Sequence, residues 1–339
     1  MNMNDIAKMA NVSKSTVSLV VNGKPGVSEA TRKKILNLLK DNGYQRQRSV
    51  EGNKVKQSFN IGLFTVKSKT LVHDDFQHLP FFDELLSTLS QKVSEIGNSL
   101  IINTVTDDGN LKENLSRLKR QQDIDGMIVL GTEMTKEQVL TFKQVEHNLV
   151  IVDTSFPDVD VDFISIDNYL GGSLAAKYIL KKGYKKIGFA GATGYINNFL
   201  DRRRGFLTEL QAQGVTIDDK DFYSFDPSSL LPKDGEVERI MKDRNHPDAI
   251  FCEDDYIAIR MIKSCLELGI KVPEDLSIMG FDDIYESKII TPELTTVHVP
   301  IGDMATLSLD KLLNKLNGRG TNFNTKTFIG VSVVGRNSL

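Results

Sequence analysis

The spacing of apolar residues changes twice along this chain of 339 residues. In the first 44 residues apolar positions recur three or four apart in short bursts: Ile6, Ala7 and Ala10, then Val17, Val20 and Val21, then Ile35, Leu36, Leu38 and Leu39. That spacing predicts three short helices, each with one buried face. Asn2 with Asp5, Ser13 and Ser28 stand where helix N-caps are needed. Asn11-Val12-Ser13 and Gly23-Lys24-Pro25-Gly26 interrupt the pattern, and Gly43 stops the third helix. Two helices joined by a tight turn inside a three-helix unit form the helix-turn-helix pattern.

Residues 45–60 then contain almost no apolar residues, but include Gly52 and four cations, which is linker composition. From Ile61 onward, β-branched runs alternate with amphipathic stretches. Strands are expected at 61–66, 100–105, 127–130, 149–152, 186–190, 249–252 and 276–279, and helices at 81–96, 170–181 and 257–268. This alternation predicts an α/β fold with parallel sheets and right-handed crossovers. Nearly 280 residues exceed one sheet, so two lobes with a cleft between them are expected. Sheets of this kind bind ligands beyond the carboxyl ends of their strands.

Charge divides the chain in the same place. Residues 1–60 hold 11 Lys and Arg against four acids, leaving −10 for the rest of a chain whose net charge is −3. A basic head on an acidic body fits a polyanion-binding module fused to a domain with another task. The N-terminus has no apolar signal region and no run of 18 apolar residues occurs, so a cytoplasmic protein is expected. Two cysteines, Cys252 and Cys265, are too few for a disulfide framework and read as reduced, partly buried thiols.

The run Ile6 to Ser18, with Val20-Val21-Asn22-Gly23 and Val27 to Arg32, closely resembles the headpiece of the lactose-repressor (LacI-type) family. Further matches follow in family order: Ile61-Gly62-Leu63, Pro80-Phe81-Phe82, Asp125-Gly126, Asp167-Asn168, Gly183-Tyr184, Arg202 with Gly205-Phe206, Val272 to Asp275, Gly280-Phe281-Asp282-Asp283 and Pro292 to Val297. The resemblance implies a three-helix headpiece over 1–44, a hinge over 45–60 and a two-lobed, periplasmic-binding-protein-like core over 61–339. Within that core it implies lobe 1 at about 61–158 and 299–320, and lobe 2 at about 159–298 and 321–339.

It also implies roles. Lys14, Ser15 and Leu19 occupy the positions that read base edges in the major groove. Ser13, Thr16, Asn22, Ser28 and Thr31 match phosphate-contacting positions, and Ser18 and Tyr44 complete the DNA-facing set. Effector-binding candidates are Phe81, Phe82, Asp153, Arg202, Asp254 and Asp282. Carboxylates and a guanidinium give directional hydrogen bonds to hydroxyls, and an aromatic face covers C–H surface, which suits a sugar. For each a structural role competes: core packing for the two Phe, capping for the aspartates, solvation for Arg202 beside Arg203 and Arg204.

Two departures stand out. Many relatives carry Arg, the bidentate reader of guanine, where this chain has Leu19. In the linker, the family's Pro, Ala and minor-groove Leu align without gaps on Arg46, Val50 and Asn53. Helix propensity there is weakened by Gly52, and the apolar wedge is absent. Between Gly62 and Pro80 the chain also carries about nine extra residues, near 67–77, placed by topology at the cleft mouth.

Enzyme and metal signals fail one by one. Gly188, Gly191 and Gly194 complete no phosphate-binding loop. Asp158, Asp160 and Asp162 imitate the start of an EF-hand, but Phe163 and Tyr169 occupy its sixth and twelfth positions. The five histidines show no metal spacing. The expectation is therefore a homodimeric, cytoplasmic DNA-binding repressor that is not an enzyme, needs no cofactor or metal, contacts no membrane, and binds an operator and a small effector, a sugar. A purine-type corepressor or a phosphoprotein partner is the alternative within that class. A soluble sugar-binding protein and a sugar-metabolising enzyme are the alternatives outside it.

Overall fold

In the computed structural model, which describes residues 3–21, 26–41, 58–67, 80–193, 196–225 and 235–339, the chain divides into two units, Met1–Val55 and Lys56–Leu339. The first unit is built by α1 (Met3–Ala10), α2 (Lys14–Val21) and α3 (Glu29–Asp41). Ile6, Ala7, Ala10, Val17, Val20 and Ile35 bury one another at its centre. Asn11 turns the chain between α1 and α2 at φ 52°, a left-handed conformation that Asn tolerates better than most residues. Ser13 caps α2 as its sequence position requires, accepting from Thr16 N at 3.1 Å.

In the second unit β1 (Asn60–Lys67), β2 (Ser99–Thr106), β3 (Gly126–Leu130), β4 (Leu149–Val152), β5 (Asp162–Ile166) and β11 (Lys326–Ile329) form one parallel sheet in the order β11-β5-β4-β3-β1-β2. Alternate residues face opposite sides. Ile61, Leu63, Val150 and Val152 pack with α4 (Pro80–Glu95) and α11 (Ile301–Leu316), whereas Phe64, Val66, Leu149 and Ile151 pack with α5 (Leu111–Gln121) and α6 (Lys136–Val145). Burial on both faces is why these strands are continuous apolar runs.

The second parallel sheet has the order β7-β6-β8-β9, from β6 (Ile187–Ala192), β7 (Phe222–Phe225), β8 (Ala249–Cys252) and β9 (Ser277–Met279). Phe189, Ala249 and Phe251 face α7 (Asn168–Lys181) and α8 (Asn197–Ala212). Ala190, Ile250 and Cys252 face α9 (Glu236–Lys242) and α10 (Asp255–Glu267). A small antiparallel pair, β10 (Thr296–His298) with β12 (Ser332–Val334), lies beside α7.

The chain passes between the lobes three times: between β5 and α7, between β10 and α11, and between β11 and β12. These passages adjoin one another, because Asp167 N donates to Ile329 O at 2.8 Å and His298 pairs with Ser332. The expected lobe limits near 158 and 320 are corrected by this path. Both β5 and β11 lie beyond them yet pair within the first sheet, where Phe163 is registered against Lys326. The short, lysine-led β11 is a strand because β5 offers it a ladder, not because of an apolar run.

Candidate functional sites

On the headpiece, Lys14 opens α2 and Ser15 follows it, both exposed, so the helix presents its N-terminal polar residues outward. Ser13, Ser15 and Thr16 share hydroxyl contacts of 2.7 and 2.8 Å, and Ser28 contacts Thr31 Oγ1 at 2.8 Å at the start of α3. Hydroxyls at helix N-termini, beside backbone N–H groups with no partner in the helix, suit phosphate oxygens. Leu19 is half-buried on the same helix, and Ser18 is placed there by its backbone. Lys34 reaches Ala10 O at 3.0 Å and ties α3 to α1. Asn22, Tyr44, residues 45–57 of the hinge, and residues 68–77 of the insertion lie outside the described residues.

The second site gathers at the carboxyl ends of strands from both sheets. Asp153 directly follows β4 at φ 62°, and Asp282 lies three residues beyond β9 at φ 120°. Backbone held in such conformations costs free energy and tends to cluster at functional sites. Thr132 donates to Asp153 Oδ2 at 2.5 Å. Across the cleft Asn198, on α8, donates to the Asp153 carbonyl at 3.0 Å and to its Oδ1 at 2.9 Å, so one aspartate links the lobes.

One turn further along α8, Arg202 is only 5% exposed. Its Nε donates to Asn168 Oδ1 at 2.8 Å, its Nη1 to Glu253 O at 2.7 Å, and its Nη2 pairs with Asp282 Oδ1 at 3.0 Å. The guanidinium lies 3.8 Å from the Phe281 ring centroid and 5.2 Å from that of Phe199. Desolvation favours neutral carboxyls, and burial raises the Asp153 pKa to about 6 against Thr132, Arg202 and Asn198, which lower it. Burial likewise raises Asp282 well above the ordinary carboxylate value despite Arg202.

Asp254, whose pKa burial also raises, is the N-cap of α10 and accepts from Ile257 N at 2.7 Å. Its neighbours are buried too. Glu253 accepts Arg203 Nε and Nη2 on Oε1 and Ala192 N on Oε2, and burial raises it to about 7. Asp255 accepts from Ile284 N, Ser287 Oγ and Thr296 Oγ1, with burial again raising it to about 7. Asp283 holds Arg336 and His298 Nδ1.

The structure thus brings Asp153, Arg202 and Asp282 into one network, with Asp254 at its edge. Phe81 and Phe82 open α4, Phe81 partly buried against the large core cluster and Phe82 buried. The rings that flank the guanidinium are Phe199 and Phe281, and the side chains that orient it and Asp153 include Asn168, Asn198 and Thr132. Sequence reading did not select these as ligand residues, although the four-residue spacing of Asn198 and Arg202 puts both on one helix face. The Asp158–Asp162 run is tied to lysines: Asp158 to Lys136, Asp160 to Lys143, and Asp162 to Lys311 and Lys315. Among the described residues no cluster suited to a metal ion and no helix long and apolar enough to cross a membrane occurs.

Two family models match, one over the headpiece and one over the part of the core that carries Asn198, Arg202, Asp254 and Asp282. Residues 2–47 match the model of bacterial regulatory proteins, lacI family, and residues 176–339 that of the periplasmic binding protein-like domain. The chain is 30% identical over 298 residues to the HTH-type transcriptional repressor PurR of Mannheimia succiniciproducens, covering 87% of this chain and 85% of the relative. It is 28% identical over 330 residues to the ribose operon repressor of Haemophilus influenzae, covering 95% and 94%. Among solved structures, a complex of the transcriptional regulator CelR with cellobiose superimposes with a TM-score of 0.69 at 22% identity, over 100% of this chain and 99% of that one. The lac repressor dimer bound to operator and the anti-inducer ONPF gives 0.68 at 22% identity, over 100% and 98%. At such identities the structural likeness speaks for the fold.

Proposed function

The chain belongs to the LacI family of bacterial regulatory proteins and is a DNA-binding transcriptional regulator with an effector-binding core, and on that premise we propose that it is a cytoplasmic homodimeric repressor whose effector is a sugar. Lys14, Ser15 and Leu19 read base edges of one operator half-site per subunit, while Ser13, Thr16, Asn22, Ser28 and Thr31 hold phosphates, with Ser18 and Tyr44 beside them. The effector binds at Asp153, Arg202 and Asp282, with Asp254, Phe81 and Phe82 around it. Ligand closes the lobes, which changes the angle between subunits and the fit of the two heads to the operator.

The observation that carries this reading is Arg202, buried between the Asp282 carboxylate, Asn168 and the Phe281 ring. A fixed guanidinium beside aspartates offers donors and acceptors side by side, the pattern that vicinal hydroxyls satisfy. The ribose operon repressor among the relatives, and the cellobiose complex among the folds, support a sugar. A planar purine corepressor is the second reading, favoured by the Phe199 and Phe281 rings at the guanidinium.

A thermal-shift titration with ribose, cellobiose, sucrose and purine bases tests the reading. A ligand at 100 times its Kd adds about 2.7 kcal/mol of stability. Arg202→Ala should abolish that response while operator affinity, measured on sequences selected from a random pool, stays within about twofold because the head is untouched. A wild-type response in Arg202→Ala would show that the cleft assignment is wrong.

A further inference from the structure

The first turn of α10 carries a polar atom that the network around Arg202 leaves out. The hydroxyl oxygen of Tyr256 is buried and has no hydrogen-bond partner among the described residues, although the residue as a whole keeps part of its surface exposed. Folded proteins rarely leave a buried hydroxyl unpaired, and where they do, water or a ligand commonly completes it.

The surroundings of this hydroxyl favour a ligand. The helix begins where β8 ends, on the edge of the sheet where α/β folds bind small molecules. Asp254 caps the helix and Tyr256 follows two residues later. The first turn of α10 is tied to the segment that follows Asp282, because Asp255 accepts from Ile284 N and Ser287 Oγ, and the charged groups that act on the phenol are Glu286, then Asp282, Asp254 and Asp255. Burial and those charges both raise its pKa, so the phenol remains a protonated donor at neutral pH. Every charged neighbour named here is an acceptor, and yet none is bonded to it.

We propose that Tyr256 is an effector-contacting residue that sets specificity, its phenol donating to a ligand hydroxyl that in turn donates to Asp282. A hydroxyl is the group that can accept from a phenol and donate to a carboxylate at one atom. An ether oxygen in its place accepts but cannot donate, and a methylene does neither. The residue therefore selects for a free hydroxyl at one position of the sugar. This assignment rests on the cleft being the effector site.

The test compares the full-length wild-type chain with Tyr256→Phe, which keeps the ring and removes only the unpaired hydroxyl. Ribose, cellobiose and sucrose are the probes, with Kd from calorimetry and melting temperature measured without ligand. Whichever sugar binds the wild type should bind Tyr256→Phe about tenfold more weakly, while the unliganded melting temperature stays level or rises, because no hydrogen bond to a described residue is lost. Monodeoxy analogues of that sugar should include one that wild type and variant bind equally. Affinity unchanged in Tyr256→Phe overturns the assignment and leaves the cleft reading intact. A clear fall in unliganded melting temperature also overturns it, by revealing a structural partner for the hydroxyl. If none of the three sugars binds the wild type, the sugar reading of the cleft fails and this assignment fails with it.

Discussion

Arg202 pairs with Asp282 and Arg203 with Glu253 at the strand ends, where Asp153 and Asp254 are buried as well, so desolvation dominates the chemistry of single residues there. For Asp153 the consequence has a definite sign. Its folded pKa, about 6, lies above the ordinary aspartate value of 3.8, so the cost of burying the charge is absent below pH ~4, grows as pH rises through 6 and is complete above that. Asp153→Asn keeps both contacts, since an amide oxygen can accept from Asn198 and the amide nitrogen can donate to Thr132. The variant should match wild type near pH 4 and be more stable at pH 7–8 by on the order of 2–3 kcal/mol, as read from denaturant midpoints across that range. Equal stability at every pH would mean that the carboxylate is not desolvated as this geometry requires. The aspartates and Arg202 could be singled out in the sequence because the resemblance to the LacI-type family marks their positions. Phe281, Asn168 and Asn198 could not, because what makes each a partner of Arg202 or Asp153 is the approach of elements distant in sequence.

At the scale of elements, the position of Arg202 depends on how closely α7 and α8 pack. A Cβ added to Gly172 would lie 2.0 Å from the Arg202 carbonyl oxygen, and one added to Gly205 would lie 2.0 Å from that of Tyr169. Both clashes are with backbone, which cannot step aside as a side chain can. Gly205→Ala should therefore force the helices apart, lower stability by about 1–3 kcal/mol and weaken the effector response by displacing Arg202. Gly302→Ala provides the contrast, because its Cβ meets nothing within 4 Å and it lies in α11. That change should be neutral or stabilising by about 0.5–1 kcal/mol. Urea midpoints of the two variants decide the matter, and a Gly205→Ala chain as stable as wild type would refute the packing argument. Strands β1 to β4, β6, β8 and β9 and helices α4, α7 and α10 were legible from periodicity. Five strands, β5, β7, β10, β11 and β12, were not: they carry polar or exposed positions, and a neighbouring strand's free ladder determines their conformation. The periodicity that marks α7 as a helix likewise says nothing of its distance from α8, which two glycines set.

For the whole molecule, charge and connectivity govern behaviour. The surplus of seven positive charges in residues 1–60 makes operator affinity depend steeply on salt, with a log–log slope of roughly −0.9 per phosphate neutralised. Filter binding between about 50 and 200 mM salt measures it, and a chain beginning at Ile61 should bind DNA negligibly. A flat salt response would rule out phosphate contacts as the source of affinity. Connectivity acts in the core. The three passages between lobes run side by side, bridged from Asp167 to Ile329 and from His298 to Ser332. In mechanical language they are three pins on one door: they allow swing about a single line and resist both twist and slide. If a ligand closes the lobes as proposed, its pull on the cleft should emerge as one angular displacement, delivered as a lever stroke rather than dissipated as a general loosening.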